Sequence, residues 1–541
     1  MKHKASGHAR KGATKAKESQ PPEKGKEKAV STTEKAIQEN KDDDIKIIDS
    51  YEYKAGNIPI TIRIYNKRGE YAPIYECSIS VISPTTEIIL ERIRRELIKE
   101  VSLEIGDITD PNRMTDIEDH FKQAISLLIR KYFPNTDEDT TSYLTTYLIQ
   151  KALGMGNIEN LMEDDTLEEI TINGAHEPVW VYHRKHGWLK TNIHLASDDQ
   201  IRHFSSVIAR RVGRQISVSE PLLDAQLSTG DRLNATLQPI TILGNTMTIR
   251  KFASKPWTIT DLIRTNTLSI KGAAFIWQGI QYEMSMLVAG GTASGKTSML
   301  NAISNFFPPN QRIISIEDTH ELQLPKHLHW VPMGTRLPNP EGKGEVSMLD
   351  LLVNSLRMRP DRILVGEIRR KKEAEVLFEA IHTGHSVYAT VHANNAREAI
   401  TRLTSPPIEV PKNMLSAISL LIVQYRNRRT GKRKTYQIAE ITEEGNGNVL
   451  MQYDISKDVL LDVNMSIAAI PALQEFTGLT DKDISDDLNE KMAILKWMLD
   501  LNISEVDTVG RVMAEYYTSK DALMKAVKAK TLPDSLRKEE Q

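Results

Sequence analysis

The stretch MSMLVAGGTASGKTSMLNAISN, residues 284–305, combines an apolar run, a glycine-rich loop and a helix-forming segment. Its centre, residues 290–297, fits the spacing G-x-x-x-x-G-K-[ST]. A buried strand that enters such a loop lets successive backbone N–H groups face a polyphosphate, and the next helix directs its positive end at the same anion. The sequence therefore predicts a binding site for a nucleoside triphosphate. The alternative, a chance glycine-rich turn, does not explain why strand, loop and helix occur in the required order.

The residues predicted to bind the nucleotide are consecutive. We expect Lys296 to reach the β- and γ-phosphates and the Thr297 hydroxyl to ligate Mg²⁺. The full predicted set is Gly290, Gly291, Thr292, Ala293, Ser294, Gly295, Lys296, Thr297 and Ser298.

Composition limits the class of protein. A length of 541 residues suggests several domains, and a net charge of −2 with 40% apolar residues is typical of a globular protein without a general nucleic-acid-binding charge. The single cysteine, Cys77, excludes an intramolecular disulfide and a multi-cysteine zinc site. No apolar stretch approaches the roughly 20 residues that span a bilayer, and no signal-peptide core is evident. We expect a cytosolic protein whose membrane contact is peripheral.

Changes in composition and periodicity predict five segments. Residues 1–44 form a charged tail that is expected to be disordered, and its basic first part is either a solvated tail or a contact for anionic lipid or nucleic acid. Residues 45–150 read as a small α+β domain, and 151–253 as a second unit of strands with a capped helix. From 254 to 456, strands alternate with helices, which predicts an α/β domain with a parallel sheet. Residues 457–541 read as helices only.

Polar residues follow three predicted strands of this sheet. Glu317 and Asp318 follow one strand, Glu367 another and His392 a third. Ligands of open parallel sheets bind beyond the carboxyl ends of the strands, so we expect these side chains to lie beside the glycine loop.

Phosphoryl transfer to water assigns roles to the acidic residues. Glu367 is predicted to orient or deprotonate the water. Glu317 is predicted to share that task or to hold Mg²⁺ through water, with Asp318 and Glu321 in support. Position 366 is glycine where the general P-loop template has a metal-binding aspartate, so the metal depends on Thr297 and on water-mediated carboxylates.

Three further side chains are candidates for phosphate contacts. His392 is predicted to sense or stabilise the γ-phosphate. Arg232 and Arg250 lie on the last predicted strands before the α/β domain, so they are candidate arginine fingers in cis or in trans. The alternative for both arginines is a surface salt bridge of little energetic weight.

Four motifs together resemble one known family. GGTASGKT, IEDTHEL, LRMRPDRILVGEIR and TGHSVYATVHAN resemble the Walker A, Asp-box, Walker B and His-box signatures of the type II/type IV secretion ATPases, which include pilus and archaellum motors. IEDTHEL followed by RMRPD, together with GDR at 230–232 and TIRKF at 248–252, resembles the archaeal branch. The resemblance extends over residues from about 50 to about 455.

This resemblance implies a fold and an activity. The fold is a RecA-like P-loop domain preceded by a PAS-like domain, with ATP and Mg²⁺ between them, in a homo-hexameric ring. Hydrolysis of ATP to ADP and phosphate is expected to drive a polytopic inner-membrane platform protein that assembles pilin-like subunits, with the ring at the cytoplasmic face. The family's catalytic glutamate corresponds to Glu367, and its phosphate-contacting arginines to Arg232 and Arg250. The four-cysteine zinc module of many bacterial members is absent.

Three other functions remain open from the sequence. A RecA-like nucleic-acid motor is disfavoured by the near-neutral charge and by the lack of a basic and aromatic stripe, so no specific nucleic acid is expected. A nucleotide-binding scaffold without turnover is disfavoured by intact Lys296, Thr297 and Glu367. A phosphotransferase lacks an evident acceptor pocket. The sequence does not distinguish filament extension from retraction, or one secretion system from another.

Overall fold

The computed structural model describes residues 45–79, 82–100, 114–227, 229–252, 255–338, 342–533 and 536. The predicted tail 1–44 lies outside the described residues. Two nine-stranded sheets, one in each half of the chain, organise the fold.

The first sheet has the order β1-β2-β3-β6-β5-β4-β9-β8-β7. Its strands are β1 (Ile45–Ala55), β2 (Ile58–Lys67), β3 (Ile74–Ile79), β4 (Leu167–Asn173), β5 (Trp180–His183), β6 (Gly187–Thr191), β7 (Leu222–Gln226), β8 (Arg232–Thr236) and β9 (Thr246–Arg250). Neighbouring strands are antiparallel except β3 and β6, which are parallel. The helices of this half are α1 (Pro84–Glu100), α2 (Met114–Tyr132), α3 (Glu138–Leu153), α4 (Asn157–Met162) and α5 (Asp198–Arg211).

Local sequence patterns account for these elements. On β2, Ile58, Ile60, Ile62 and Ile64 are all buried, because alternate side chains of a strand point to the same face of the sheet. At the start of α5, the Ser197 side chain accepts a hydrogen bond from the Gln200 N–H, as the capping pattern predicts.

The two units predicted for this half share one sheet and one core. The β3–β6 pairing joins them, and buried residues from Ala55 to Ile249 form a single cluster. Helix α3 crosses the proposed boundary at residue 150. A division of this half into two domains stays a prediction, and the shared sheet favours one folding unit.

The second sheet has the order β12-β11-β13-β14-β10-β15-β16-β17-β18. Its strands are β10 (Met286–Gly290), β11 (Arg312–Glu317), β12 (His329–Gly334), β13 (Arg362–Val365), β14 (Ser386–Val391), β15 (Leu420–Arg426), β16 (Arg433–Ile441), β17 (Gly447–Asp454) and β18 (Val459–Asp462). Strands β12 to β15 in this order are parallel, and β15 to β18 are antiparallel. The predicted parallel sheet is confirmed. Strand β18 shows that the prediction of helices only after residue 457 is wrong, because four residues there pair with β17.

Helices cover both faces of the second sheet. They are α6 (Ile259–Arg264), α7 (Ile270–Gln281), α8 (Lys296–Ser304), α9 (Met348–Ser355), α10 (Lys371–His382), α11 (Ala396–Thr404), α12 (Ala469–Thr477), α13 (Asp481–Asp500), α14 (Val506–Thr518) and α15 (Lys520–Ala529), with short 3₁₀ turns at Leu356–Met358 and Lys412–Ala417. The last helices extend the core that α7 and α8 form on one face, and Leu495 and Met498 are buried there. Among the described residues, no helix combines the length and apolar character that crossing a bilayer requires.

Candidate functional site

The phosphate loop, residues 290–297, lies between a fully buried strand and the start of a helix. Every residue of β10 is buried, and Gly295 precedes α8 with φ +94°. A Cβ on Gly290 would lie 2.3 Å from the Ser294 Oγ and 2.8 Å from the Gln424 carbonyl oxygen. Position 290 therefore requires glycine, because these two oxygens lie too close for a Cβ, as the motif predicts.

Polar groups inside the loop are arranged to receive an anion. Ser294 is buried, and its Oγ has no hydrogen-bond partner among the described residues. Lys296 Nζ donates to the Gly291 carbonyl oxygen at 3.3 Å. Burial lowers the pKa of Lys296, while the charges of Glu367 and Glu321 oppose that shift. An unpaired buried hydroxyl and a half-buried ammonium fit a polyphosphate.

His392 lies at the phosphate loop. Its Nε2 and the Thr292 Oγ1 are 3.2 Å apart. His385, at the opposite end of β14, instead lies 3.1 Å from the Ala380 carbonyl oxygen and 3.1 Å from the Thr383 Oγ1. The structure thus brings His392 to the predicted site and gives His385 a local structural contact.

An arginine joins two of the predicted acidic residues. Arg369 Nη2 lies 2.9 Å from the Glu367 Oε2, and its Nη1 lies 2.6 Å from the Asp318 Oδ2. Asp318 also accepts a hydrogen bond from the Thr335 hydroxyl at 3.2 Å. The sequence analysis missed Arg369, although it lies two residues after Glu367 in the motif GEIR.

Glu317 is buried and holds the loop that follows it. Its Oε1 accepts hydrogen bonds from the backbone N–H groups of Glu321, at 3.0 Å, and Leu322, at 3.2 Å. Its Oε2 lies 3.1 Å from the His320 Nδ1, and this hydrogen bond raises the pKa of His320. These contacts give Glu317 a structural role; its share in catalysis stays a prediction.

Arg232 and Arg250 are cross-strand neighbours on β8 and β9. The Arg232 guanidinium binds both oxygens of Asp224, at 3.0 and 2.6 Å. This hydrogen bonding raises the pKa of Arg232, and the charges of Asp318 and Glu321 contribute as well. The Arg232–Asp224 pair is the surface salt bridge that the sequence analysis considered as the alternative. The negative charges of Asp318 and Glu321 also act on Arg232.

Arg250 lies close enough to the phosphate loop to affect Lys296. After burial, the charges of Arg369 and Arg250 lower the pKa of Lys296 further. The charge of Arg250 therefore acts on the predicted site within the same chain.

Two arginines of the second sheet contact the first sheet, and one of them also contacts the phosphate loop. Arg433 Nε donates to the Ala293 carbonyl oxygen at 3.1 Å, and Arg433 Nη2 lies 3.4 Å from Glu168 Oε2. Arg426 donates to the Tyr182 hydroxyl. The sequence analysis did not find these contacts, because it did not assign strands β15 and β16 that carry the two arginines.

The oxygen ligands available to Mg²⁺ are few. The described residues contain no group of three or more His, Cys, Asp or Glu side chains arranged for a metal. Mg²⁺ commonly takes one or two protein oxygens and completes its shell with water and substrate phosphates. Thr297, in the first turn of α8, fits that pattern, whereas the predicted ligand Asp318 is paired with Arg369.

Residues 151–447, more than half of the chain, match the family model described as "Type II/IV secretion system protein". The chain belongs to this family. The match confirms the resemblance that the four motifs indicated.

Several known proteins are similar to this chain. It is 32% identical over 498 residues to the uncharacterized protein MJ0900 of Methanocaldococcus jannaschii, which covers 86% of this chain and 88% of that protein. It is 30% identical over 307 residues to the type IV secretion system protein PtlH of Bordetella pertussis, with 51% and 89% covered. The X-ray structure of the Legionella pneumophila ATPase DotB aligns at 18% identity and a TM-score of 0.38, covering 69% of this chain and 94% of that one.

The Type II/IV secretion family match contains every predicted site residue. It extends from before β4 to the start of β17, so it includes Arg232, Arg250, the phosphate loop, Glu367 and His392. Strands β1 to β3 and helices α12 to α15 lie outside it. The matched residues therefore include strands β4 to β9 of the first sheet and β10 to β16 of the second.

Proposed function

We propose that this chain is an ATPase, which hydrolyses ATP to ADP and phosphate, and that it powers a secretion or pilus-type machine. The observation that carries the proposal is the phosphate loop, where the buried Ser294 hydroxyl has no hydrogen-bond partner among the described residues and the His392 Nε2 lies 3.2 Å from the Thr292 Oγ1. The charges of Glu367, Glu321, Arg369 and Arg250 also act on Lys296 in this loop.

Each part of the site has a role in this proposal. The backbone N–H groups of the phosphate loop and the ammonium of Lys296 bind the phosphates. Glu367 orients or deprotonates the attacking water, and Arg250 and Arg232 supply positive charge toward the transferred phosphoryl group, with His392 near its edge. Arg369 is paired with Glu367, so the base acts once that guanidinium turns toward the phosphates.

Mg²⁺ fits the same arrangement. The Thr297 hydroxyl would hold the ion, with Asp318 or Glu317 acting through water, and a bound Mg²⁺ would neutralise charge on the β- and γ-phosphates. The unpaired Ser294 hydroxyl adds a donor for the phosphate chain.

Family membership supports a proposal for the assembly and its partners. We propose a homo-hexameric ring in which each chain has a PAS-like domain at residues 151–253 and a RecA-like domain at residues 254–456, with ATP bound between them. Changes in the position of the two domains during hydrolysis would drive a polytopic platform protein in the inner membrane, with the ring at the cytoplasmic face. The basic tail would support a peripheral membrane contact, and no specific nucleic acid is involved. Extension and retraction of a filament are both compatible with this role.

The first test is phosphate release by wild type and Glu367→Gln, with the mass of the assembly measured with and without ATP. Loss of a general base costs about 10²–10⁴-fold in rate, so we expect turnover to fall by that factor while ATP binding persists. Glu379→Gln, an exposed glutamate on α10, is the matched control and is expected to retain wild-type turnover. A wild-type protein that binds ATP but shows no turnover, even with its membrane fraction, would favour the scaffold. Full activity in Glu367→Gln would remove the assigned base.

A further inference from the structure

We infer that Arg433 is a positioning residue that couples the geometry of the phosphate loop to the first sheet, an inference that rests on the proposed function. Arg433 begins β16, and its Nε donates to the Ala293 carbonyl oxygen at 3.1 Å. Its Nη2 lies 3.4 Å from the Oε2 of Glu168 on β4. One guanidinium therefore contacts both the phosphate loop and the first half of the chain.

Ala293 is the residue of the loop whose backbone most needs an external contact. Its φ is +58°, a left-handed conformation that a residue with a Cβ rarely adopts. In a trans peptide the C=O and the next N–H point in opposite directions. By holding the Ala293 carbonyl oxygen, Arg433 fixes the direction of the Ser294 N–H, which donates to the Gly291 carbonyl oxygen at 3.2 Å. Arg433 thus sets the orientation of a peptide inside the loop that cradles phosphate.

Glu168 lies next to the strand partner of Arg250, whose charge acts on Lys296. Its neighbour Glu169 pairs with Arg250 across β4 and β9. The side chains of Arg433 and Glu168 are 34% and 31% exposed, so their attraction is less screened than that of a fully exposed pair. A displacement of β4 relative to the loop changes the Arg433–Glu168 contact and the position of Arg250 together.

The preceding strand reinforces the same connection. Arg426 on β15 donates to the Tyr182 hydroxyl on β5, and its guanidinium carbon lies 5.9 Å from the centre of the Tyr182 ring. Strands β4 and β5 are paired, as are β15 and β16. The end of the β15–β16 hairpin therefore contacts the β4–β5 hairpin through both of its strands.

A reciprocal coupling follows from these contacts. If nucleotide reorients the loop peptides, the Ala293 carbonyl oxygen moves and Arg433 transmits the change to Glu168. By linkage, if nucleotide changes the strength of the Arg433–Glu168 contact by some factor, breaking that contact must change nucleotide affinity by the same factor. This holds although Glu168 belongs to the first sheet rather than to the phosphate loop. This property distinguishes coupling from simple loop packing.

The test is a double-mutant cycle on the full chain with Arg433→Lys, Glu168→Gln and both. Lysine keeps the charge but cannot bind two partners with one planar fork, and glutamine keeps the shape of Glu168. For a non-hydrolysable ATP analogue, we expect each single variant to raise Kd by about three- to tenfold, and the double variant to be no weaker than Arg433→Lys alone. KM for ATP should rise with Kd, while kcat changes less than twofold. Arg428→Lys, an exposed arginine on the same hairpin, is the control and should match wild type.

A second readout does not depend on turnover. Amide hydrogen exchange at Ser294 should be faster in Glu168→Gln than in wild type or Arg428→Lys, because the loop peptide is less restrained. Unchanged Kd and unchanged Ser294 exchange in Glu168→Gln, or effects of the two substitutions that simply multiply, would overturn the inference. Lys296→Ala separates it from the proposed function. If Lys296→Ala retains wild-type Kd, the nucleotide site itself is wrong; if it abolishes binding and Glu168→Gln has no effect, only the coupling is wrong.

Discussion

Gly510 on α14 packs against the acidic loop, which we define as residues 317–328, and its substitution tests whether the C-terminal helices position that loop. A Cβ at position 510 would lie 2.6 Å from Cβ and Cγ of Pro325 and 2.8 Å from Cε1 of His327. Carbon atoms in contact are normally about 3.5–4.0 Å apart. In Gly510→Ala, α14 and Pro325 must therefore separate by about 1 Å.

The expected effect on global stability is small because two terms oppose each other. The proline ring cannot rotate out of the way, and overpacking of this kind costs about 1–3 kcal/mol. Alanine is favoured over glycine inside a helix by about 1 kcal/mol. The free energy of unfolding should consequently fall by about 0–2 kcal/mol, so the position of the loop is the sharper observable.

The displaced loop should release its internal hydrogen bonds. Pro325 follows Leu322 by three residues, and the N–H groups of Leu322 and Glu321 donate to the Glu317 carboxylate. A hydrogen bond to a charged group contributes about 1.5–3 kcal/mol. If the displacement removes about half of that energy, exchange of these two amides should become faster by up to about tenfold. The assay is residue-resolved amide hydrogen exchange on the full chain.

A matched substitution controls for the effect of adding a methyl group. Gly272→Ala on α7 places its Cβ 3.0 Å from the Leu268 Cδ1 and 3.1 Å from the Ile438 Cδ1, which are ends of flexible side chains. We expect wild-type exchange at residues 321 and 322 in this variant. Equal exchange in wild type and Gly510→Ala, or equal acceleration in both glycine variants, would refute the reasoning.

Two further predictions concern the cores. Arg362 is buried, and its Nη2 donates to the Ile280 carbonyl oxygen at 2.8 Å and its Nη1 to the Tyr388 hydroxyl. Because lysine cannot bind both acceptors, Arg362→Lys should lower the free energy of unfolding by about 3 kcal/mol in denaturant titrations. Tyr388→Phe should lower it by less. Burial, and then the charge of His186, lowers the pKa of His183 to about 4, below the roughly 6.5 of an unfolded histidine. Between pH 6.5 and pH 4, His183 therefore binds a proton in the unfolded chain but not in the folded one. The free energy of unfolding should fall by about 2–3 kcal/mol as the pH is lowered over this range. In His183→Gln the free energy of unfolding should not show this decrease with pH. The same decrease in wild type and variant would contradict the assignment to His183.

The parts of the site that could be predicted are those encoded by local spacing. Glycines at fixed intervals, an apolar run before them and a helix after them identify the phosphate loop without knowledge of the remaining chain. Glu367 and His392 were also placed correctly at the sheet edge, because parallel strands bring their carboxyl ends together whatever their order.

The contacts that could not be predicted join residues that are distant in sequence. Arg433 and Glu168 are separated by 265 residues, and their pairing depends on how two hairpins meet. Strand β3 joins β6 across more than 100 residues of intervening chain, which periodicity cannot reveal. Arg369 was adjacent to a predicted residue, yet its ion pair with Asp318 required the geometry of two strands.

The acidic loop receives contacts from several distant parts of the chain. Within the loop, the Glu317 carboxylate accepts a hydrogen bond from the backbone N–H of Glu321. From the first half of the chain, Phe252, two residues after Arg250, stacks on His320 with ring centres 6.3 Å apart. From the C-terminal helices, Gly510 packs on Pro325. The last of these lies outside the residues that match the Type II/IV secretion family, whereas the loop lies inside them. A segment beyond the shared motifs therefore contacts a loop whose Glu321 influences Lys296, so changes in the C-terminal helices are expected to alter the site while every motif residue stays the same.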